Sequence, residues 1–138
     1  MKRVIVSVAV LSVAISLGAQ TRTVTSDRIL KAASEPQNWL TYSGNYNGQR
    51  HSTLDQITAA NVKNLELQWV FQVRSLSAND KFEASPIVVD GVMYTVSPPN
   101  DVVALDAVSG RVFWRYNHPV APAARVCCGR VNLSLIHI

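Results

Sequence analysis

The sequence predicts an all-β fold preceded by short N-terminal helices. Two apolar runs, Ile87–Val89 and Val92–Val96, are separated only by an Asp-Gly dipeptide, which tolerates the positive φ angles of a two-residue hairpin turn. Two further strand-like runs, 101–106 and 111–116, are joined by a turn-forming segment. Short antiparallel strands at this close spacing are typical of a sandwich, a barrel or a propeller.

Residues 1–19 have the pattern of a secretory signal peptide. Lys2 and Arg3 precede a mainly apolar run, and Gly18-Ala19 supplies the small residues of a cleavage site. The run is short for a membrane span, which needs about 20 apolar residues. We expect cleavage after Ala19 and export of the chain to the periplasm, an oxidising compartment.

Two short helices are predicted between this leader and the strands. Ser26 or Asp27 is a candidate N-cap for a helix over 28–33, because a side-chain oxygen can accept from the free first-turn N–H groups. Thr58 is the corresponding candidate for a helix over 59–65.

The first strand is predicted over Glu66–Val73. Apolar side chains alternate along this stretch, which places one set of them on a single face of a strand. The members of that set are Leu67, Trp69, Phe71 and Val73.

Composition excludes several classes of protein. The chain has 138 residues, 48% of them hydrophobic and only 16% charged, which excludes an intrinsically disordered chain. Its formal net charge is +4. Two of the positive charges belong to the leader, and the remainder is too small and too scattered for a nucleic-acid-binding surface.

The turn after the strand over 101–106 has a recognisable pattern. The stretch Ala104–Trp114 reads Ala-x-Asp-x-x-Ser-Gly-x-x-x-Trp and resembles the tryptophan-docking repeat of quinoprotein β-propellers. Asp106 and Ser109 can accept backbone hydrogen bonds in the turn, Gly110 permits the reversal, and Trp114 offers a flat face for packing on a neighbouring blade. An ordinary hairpin with a core tryptophan has the same features.

Cys127 and Cys128 are adjacent, and the sequence contains no third cysteine. Successive Cα atoms are about 3.8 Å apart, whereas disulfides usually span about 4.4–6.8 Å. A bond between the two would therefore be strained, and it would add little stability because it closes almost no loop. Two reduced, small apolar residues in a core are the alternative. A metal site is disfavoured, since adjacent thiolates do not easily share one tetrahedral ion.

Glu83 lies in the stretch Phe82–Pro86, just before the first hairpin strand. Taken alone, it is a carboxylate at the end of a loop, where glutamate is normally solvated. Four further segments complete a set of motifs that run in order along the chain: 38–44, 48–52, 57–70 and 127–132. Together with Phe82–Pro86 and the docking string, they resemble the N-terminal part of a pyrroloquinoline quinone (PQQ)-dependent alcohol dehydrogenase of the methanol/ethanol type.

This resemblance implies an eight-bladed quinoprotein β-propeller, of which residues 20–132 would form about two blades. It implies that Cys127 and Cys128 form a vicinal disulfide stacked on one face of PQQ, and that Glu83 hydrogen-bonds and orients the cofactor. A calcium or lanthanide ion would act on the quinone as a Lewis acid. The substrate would be a small primary alcohol, and a cytochrome c would take the electrons.

The resemblance assigns no catalytic base and no metal ligand to this fragment, because the family's residues for both belong to later blades. The family pattern also ends after Asn132, where Arg-Gly is expected. Residues 133–138, Leu-Ser-Leu-Ile-His-Ile, are one reading frame of a transposase adaptor sequence, so we expect a non-native tail. A blade takes roughly 40–50 residues. The fragment alone is therefore expected to be inactive and prone to aggregate.

Two other interpretations remain. A PQQ-like propeller can serve as a non-enzymatic scaffold, as in outer-membrane assembly, but a scaffold has no cofactor for Glu83 and the cysteine pair to hold. A small secreted β-domain, complete in itself, is disfavoured because its single possible disulfide would staple nothing.

Overall fold

The computed structural model describes residues 23–73, 81–119 and 121. In chain order its elements are helix α1 (Ser26–Leu30), two 3-10 turns (Ala32–Ser34 and Val62–Asn64), and strands β1 (Ile87–Val89), β2 (Val92–Ser97), β3 (Asp101–Asp106) and β4 (Val112–Tyr116). The strands form one antiparallel sheet in the order β1-β2-β3-β4. The predicted all-β class with short N-terminal helices is confirmed.

The β1–β2 hairpin follows directly from its Asp-Gly turn. Asp90 has φ 49° and Gly91 has φ 82°, the paired positive angles that a two-residue hairpin turn requires. The register then pairs Val89 with Val92 and Ile87 with Tyr94. The expected hairpin is therefore present, with β2 extending one residue further, to Ser97.

The core lies along β3, the central strand, which is buried from Asp101 to Leu105. Val103 and Ala104 are completely inaccessible to solvent, and Leu105 is 1% exposed. The edge strand β4 is exposed along its whole length, although it carries Val112, Phe113 and Trp114. The described residues therefore bury the middle of the sheet and leave an apolar edge open.

The N-terminal segment is attached to the β1 edge of the sheet. Trp39 and Val88 exchange two backbone hydrogen bonds, of 2.8 and 3.0 Å, in an isolated antiparallel bridge. This bridge places the loop that follows Trp39 beside β1.

The predicted N-cap of the first helix was wrong. Thr25 is the N-cap of α1: its backbone is extended, and its hydroxyl accepts from the Arg28 backbone N–H at 3.2 Å. Ser26 and Asp27 lie inside the helix, where Asp27 instead pairs with Lys31 at 2.9 Å. The helix predicted over 28–33 ends as an α-helix at Leu30 and continues as a 3-10 turn.

The second predicted helix, over 59–65, is only the 3-10 turn Val62–Asn64, and Thr58 does not cap it. Asn61 organises this loop instead. Its side-chain oxygen accepts from the Thr58 N–H at 2.7 Å, and its amide donates to the Gln56 carbonyl at 2.8 Å. Local side-chain bonds of this kind compete with helix formation.

The strand predicted over Glu66–Val73 is also absent, since residues 66–73 have no strand pairing within the described part of the chain. Leu67 is 82% exposed, whereas Trp69, Phe71 and Val73 are half-buried. The alternating pattern is therefore correct for Trp69, Phe71 and Val73 and wrong for Leu67, and the segment adds no strand to the sheet within the described residues.

No helix in the described ranges is long and apolar enough to cross a membrane.

Candidate functional site

An apolar cavity of about 530 Å³ lies against one face of the sheet. Alternation along the strands brings Met93 and Thr95 of β2 and Leu105 of β3 to this face. The opposite wall comes from the loops on either side of residues 74–80, and its members are Trp69, Phe71, Gln72, Val73, Phe82 and Pro86. The cavity therefore separates the sheet from the segments that flank it in sequence.

Thr95 is the polar exception on the sheet side of this cavity. Its side chain is 2% exposed, and its hydroxyl has no hydrogen-bond partner among the described residues. Buried hydroxyls normally find a partner. This position therefore leaves one unused donor and acceptor in otherwise apolar surroundings.

The docking string forms the tight turn between β3 and β4 that its pattern predicts. The Asp106 carboxylate accepts from the backbone N–H groups of Val108 at 2.9 Å and Ser109 at 3.1 Å. These backbone donors, Val108 first, hold the pKa of Asp106 below its ordinary value. The Ser109 hydroxyl accepts from the Arg111 N–H at 3.4 Å, and Gly110 has φ 70°. Asp106 and Ser109 thus both accept backbone hydrogen bonds within the turn, as the motif predicts.

Trp114, the last residue of the string, packs within its own sheet. Its ring centroid lies 6.0 Å from that of Tyr94, at an angle of 51°, and both residues are opposite Ala104 in the register. Trp114 is still 47% exposed. Its predicted docking on a neighbouring blade stays a prediction.

A different tryptophan occupies the docking turn. A Cβ atom added to Gly110 would lie 2.5 Å from Cε3 of Trp69, so the indole ring rests directly on the glycine. The alternation over 66–73 predicts only that Trp69 lies on a strand face. No sequence signal near Trp69 or Gly110 indicates that the two residues meet.

Glu83 lies on the exposed loop between Phe82 and Pro86, which both line the apolar cavity. Glu83 itself is exposed and makes no hydrogen bond or ion pair with the described residues, while the next residue, Ala84, is buried. The backbone is thus anchored beside a carboxylate that remains available for an added ligand. Such a free carboxylate can accept from a ring N–H group or from a donor that also touches a bound cofactor.

The other two predicted cofactor-binding residues, Cys127 and Cys128, lie outside the described residues. The same is true of the predicted leader over 1–19 and the predicted tail over 133–138. Within residues 23–73, 81–119 and 121, no three His, Cys, Asp or Glu side chains cluster as metal ligands.

A partly buried charge network connects α1 to the first hairpin turn. The Arg28 guanidinium, 9% exposed, contacts Glu35 at 2.7 Å and Asp90 at 2.6 Å. Asn38 joins the two acceptors, because its amide donates to Glu35 at 2.7 Å and its oxygen accepts from the Asp90 N–H at 2.9 Å. The sequence predicts the turn at Asp90 but gives no indication that these four residues meet.

The network shifts the titration of its members. The hydrogen bond from Arg28 is the main reason that the pKa of Glu35 lies below its ordinary value. Hydrogen bonding to Glu35, and then to Asp90, raises the pKa of Arg28. Both shifts favour the charged forms of Arg28 and Glu35.

Residues 39–130 match the family model described as "Glucose/ethanol/alcohol dehydrogenase, beta-propeller domain". The chain is 40% identical over 111 residues to the dehydrogenase subunit of the quinone-type alcohol dehydrogenase of Gluconacetobacter polyoxogenes, covering 78% of this chain and 14% of that protein. It is 34% identical over 135 residues to the lanthanide-dependent methanol dehydrogenase of Methylorubrum extorquens, covering 95% of this chain and 22% of the relative.

The fold is also similar to that of a solved structure. The quinohemoprotein alcohol dehydrogenase ADHIIG of Pseudomonas putida HK5 superposes with a TM-score of 0.62 at 46% identity, over 67% of this chain and 13% of that one. The chain thus spans about one seventh of the length of several relatives that it matches. The four-stranded sheet is accordingly one part of a larger β-propeller.

Proposed function

This chain belongs to the glucose/ethanol/alcohol dehydrogenase β-propeller family, and we propose that it contributes part of the ring of a PQQ-dependent alcohol dehydrogenase. The observation that carries the proposal is the match over residues 39–130, which includes both the Glu83 loop and the docking turn. The reaction is oxidation of a small primary alcohol, with electrons passing to a cytochrome c. Because the chain spans only 14% of its quinone-type relative, most of the ring comes from other residues.

Glu83, Cys127 and Cys128 are the proposed cofactor-binding residues. The exposed carboxylate of Glu83, which has no partner among the described residues, fits a group that presents hydrogen-bond donors, and its loop is fixed by the burial of Ala84. The vicinal disulfide of Cys127 and Cys128 would provide a flat, apolar surface against the planar ring system. Bound PQQ supplies the two-electron acceptor for the alcohol; the residues of this chain bind and orient it.

The remaining catalytic parts are proposed to come from the rest of the ring. These are the aspartate base, the ligands of the calcium or lanthanide ion, and the tryptophan that covers the second face of PQQ. The polypeptide as given is then inactive by itself, because it would hold at most one side of the cofactor site. The proposed division of the chain is a periplasmic leader over 1–19, propeller over 20–132, and a non-native tail over 133–138.

The first test is recovery of the source gene downstream of the Asn132 codon. The proposal expects the codons for Arg-Gly next, followed by further blades with carboxylates for a metal ion. The full-length protein, supplied with PQQ and either Ca²⁺ or La³⁺, should reduce an artificial electron acceptor only when a primary alcohol is present. A native gene that encodes residues 133–138 and then stops would overturn the proposal.

A cysteine variant of the full-length protein tests the proposed site. Cys127→Ser/Cys128→Ser should lose alcohol oxidation and bind PQQ more weakly, whereas Ser34→Ala, on the exposed turn after α1, should keep both. A wild-type protein that folds but binds no PQQ would refute the enzyme proposal and favour the scaffold of the outer-membrane assembly type.

A further inference from the structure

A second, polar cavity of about 200 Å³ lies on the N-terminal segment, and none of the proposed cofactor-binding residues lines it. The loop after Trp39 forms it together with the 3-10 turn Ala32–Ser34. Seven of its twelve lining residues are uncharged polar residues or histidine. At about 30 Å³ for each water, its volume corresponds to about six or seven waters, or one small ring.

The loop backbone directs alternate residues into this cavity. Asn45, Asn47, Gln49 and His51 all line it, whereas Tyr46, Gly48 and Arg50 do not. Arg50, within this run, has a positive φ angle of 53°, which a non-glycine residue rarely adopts. Backbone strain of this kind is concentrated at functional sites. Here it accompanies the convergence of four polar side chains.

These polar groups are available for a ligand. The side chains of Asn47, Gln49 and His51 make no hydrogen bond with any described residue, and Asn45 uses only its oxygen, which accepts from the Asn47 N–H at 2.9 Å. Amides offer both donors and acceptors. The site can therefore bind groups that also donate and accept, such as hydroxyls.

One wall of the cavity is aromatic. Trp39 lines the cavity, and its ring is held against the loop because a Cβ added to Gly44 would lie 3.1 Å from Cη2 of Trp39. The Trp39 Nε1–H points to the Tyr42 carbonyl at 3.5 Å. An indole held in this way offers a flat apolar surface beside the amides.

Charge recognition does not fit this cavity. No Lys, Arg, Asp or Glu is among the residues that line it. The nearest cation in the loop, Arg50, lies over the Tyr42 ring, with its guanidinium carbon 4.8 Å from the ring centroid. An anion would therefore find no Lys or Arg there, and a metal ion would find His51 but no carboxylate to complete its ligands.

We propose that this cavity binds a neutral polyhydroxylated ligand, a single sugar ring that packs on Trp39 and hydrogen-bonds to the amides of Asn47 and Gln49. An indole face combined with uncharged donors and acceptors matches the alternation of apolar C–H and hydroxyl groups on such a ring. Glu83 is not among the residues that line this cavity, and the proposal does not depend on the proposed reaction.

The test is saturation-transfer NMR on the full-length protein with methyl α-D-glucopyranoside as the probe. We expect saturable binding with a dissociation constant of about 1 mM, the range of a one-ring ligand. Asn47→Ala/Gln49→Ala should weaken binding at least about fivefold, the effect of losing one or two ordinary hydrogen bonds. The matched control Asn64→Ala/Gln68→Ala removes the same two residue types from exposed positions outside the cavity and should leave binding unchanged.

Three outcomes would overturn the proposal. The first is no saturable transfer to the glycoside from a folded protein. The second is equal affinity in the Asn47/Gln49 variant and its control, which would place the binding elsewhere, including at the alcohol site. The third is displacement of the glycoside by sodium sulfate or calcium chloride at equal concentration, which would mean that the cavity recognises charge.

Discussion

The indole ring of Trp69 lies on Gly110, in the space that a side chain at position 110 would occupy. Trp69 belongs to a segment without strand pairing in the described part of the chain, and Gly110 belongs to the tight turn between β3 and β4. The position of the Trp69 ring therefore depends on residue 110 having no Cβ atom, although the two residues are far apart in sequence. This contact joins the loop wall of the apolar cavity to the sheet.

Gly110→Ala should destabilise the full-length protein more than Gly48→Ala does. Both glycines have positive φ angles, 70° and 67°, so each substitution costs about 1–2 kcal/mol of backbone strain. Only at position 110 does the new methyl group meet a ring, whereas nothing lies within 4 Å at position 48. We expect an additional loss of about 1–3 kcal/mol from overpacking. Urea denaturation measures the free energy of unfolding of both variants.

A Trp69→Ala substitution completes this experiment as a double-mutant cycle. In the Trp69→Ala background, Gly110→Ala should lower the free energy of unfolding by no more than Gly48→Ala does, because the ring that the new methyl group would meet is gone. Equal losses of unfolding free energy in the two glycine variants, measured in the wild-type background, would contradict the contact between Trp69 and Gly110.

Asp106→Asn should reduce the acid sensitivity of the sheet. The folded-state pKa of Asp106 is depressed, so its stabilising contribution is complete above the unfolded pKa, about 3.9, and is lost as pH falls through the lower folded value. The asparagine variant cannot titrate, so it should lose less unfolding free energy than wild type between about pH 5 and pH 2. Asp55→Asn, on an exposed loop, is the control. Parallel pH profiles for wild type and Asp106→Asn would refute the prediction.

Arg28→Leu should release the N-terminal segment from the first hairpin. The guanidinium is buried and bonds to both Glu35 and Asp90, so its loss leaves two carboxylates close together without their shared partner. Hydrogen exchange should accelerate over residues 26–40. Lys31→Leu is the matched control, because the Lys31–Asp27 pair is about 70% exposed on both sides and contributes about 0.5 kcal/mol or less. Unchanged exchange in Arg28→Leu would show that the network does not hold the segment.

The sequence predicted those elements whose signals are local. The Asp90-Gly91 hairpin and the docking turn at Asp106 were correct because the turn chemistry specifies φ angles and bonds within a few residues. The caps failed because Thr25, Ser26 and Asp27 are all suitable cap residues, and only the backbone shows which of them lies outside the helix.

Long-range relationships could not be predicted in the same way. Arg28 and Asp90 are separated by 62 positions, and nothing in either neighbourhood indicates that they meet. Likewise, the alternation over 66–73 is correct for Trp69, Phe71 and Val73 but wrong for Leu67, and it cannot show whether a partner strand is present. Glu83 was singled out by resemblance alone, since an exposed carboxylate has no pattern that distinguishes it.

The isolated 138-residue chain should self-associate through β4. Val112, Phe113, Trp114 and Tyr116 are 43–50% exposed on this edge strand, and an open apolar edge is a template for pairing with another chain. Val112→Lys should raise the soluble fraction, measured by light scattering of the refolded chain, because an edge lysine discourages pairing. The control Val24→Lys also adds a lysine at an exposed position, but outside the sheet, and should have no comparable effect. A wild-type chain that stays monomeric and melts cooperatively would contradict this prediction.

Glu83→Gln should weaken PQQ binding to the full-length apoprotein without changing its stability. The Glu83 side chain is exposed and has no partner among the described residues, so its removal breaks no contact that the described part of the chain shows. A hydrogen bond to a charged group contributes about 1.5–3 kcal/mol, which corresponds to about a tenfold to hundredfold loss of affinity. Equilibrium dialysis with PQQ measures this loss directly. Glu66→Gln is the matched control, because Glu66 is also exposed in a loop but lies away from the hairpin. Equal PQQ affinities in the two variants would remove Glu83 from the site and leave the cysteine pair as the only proposed contact from this chain.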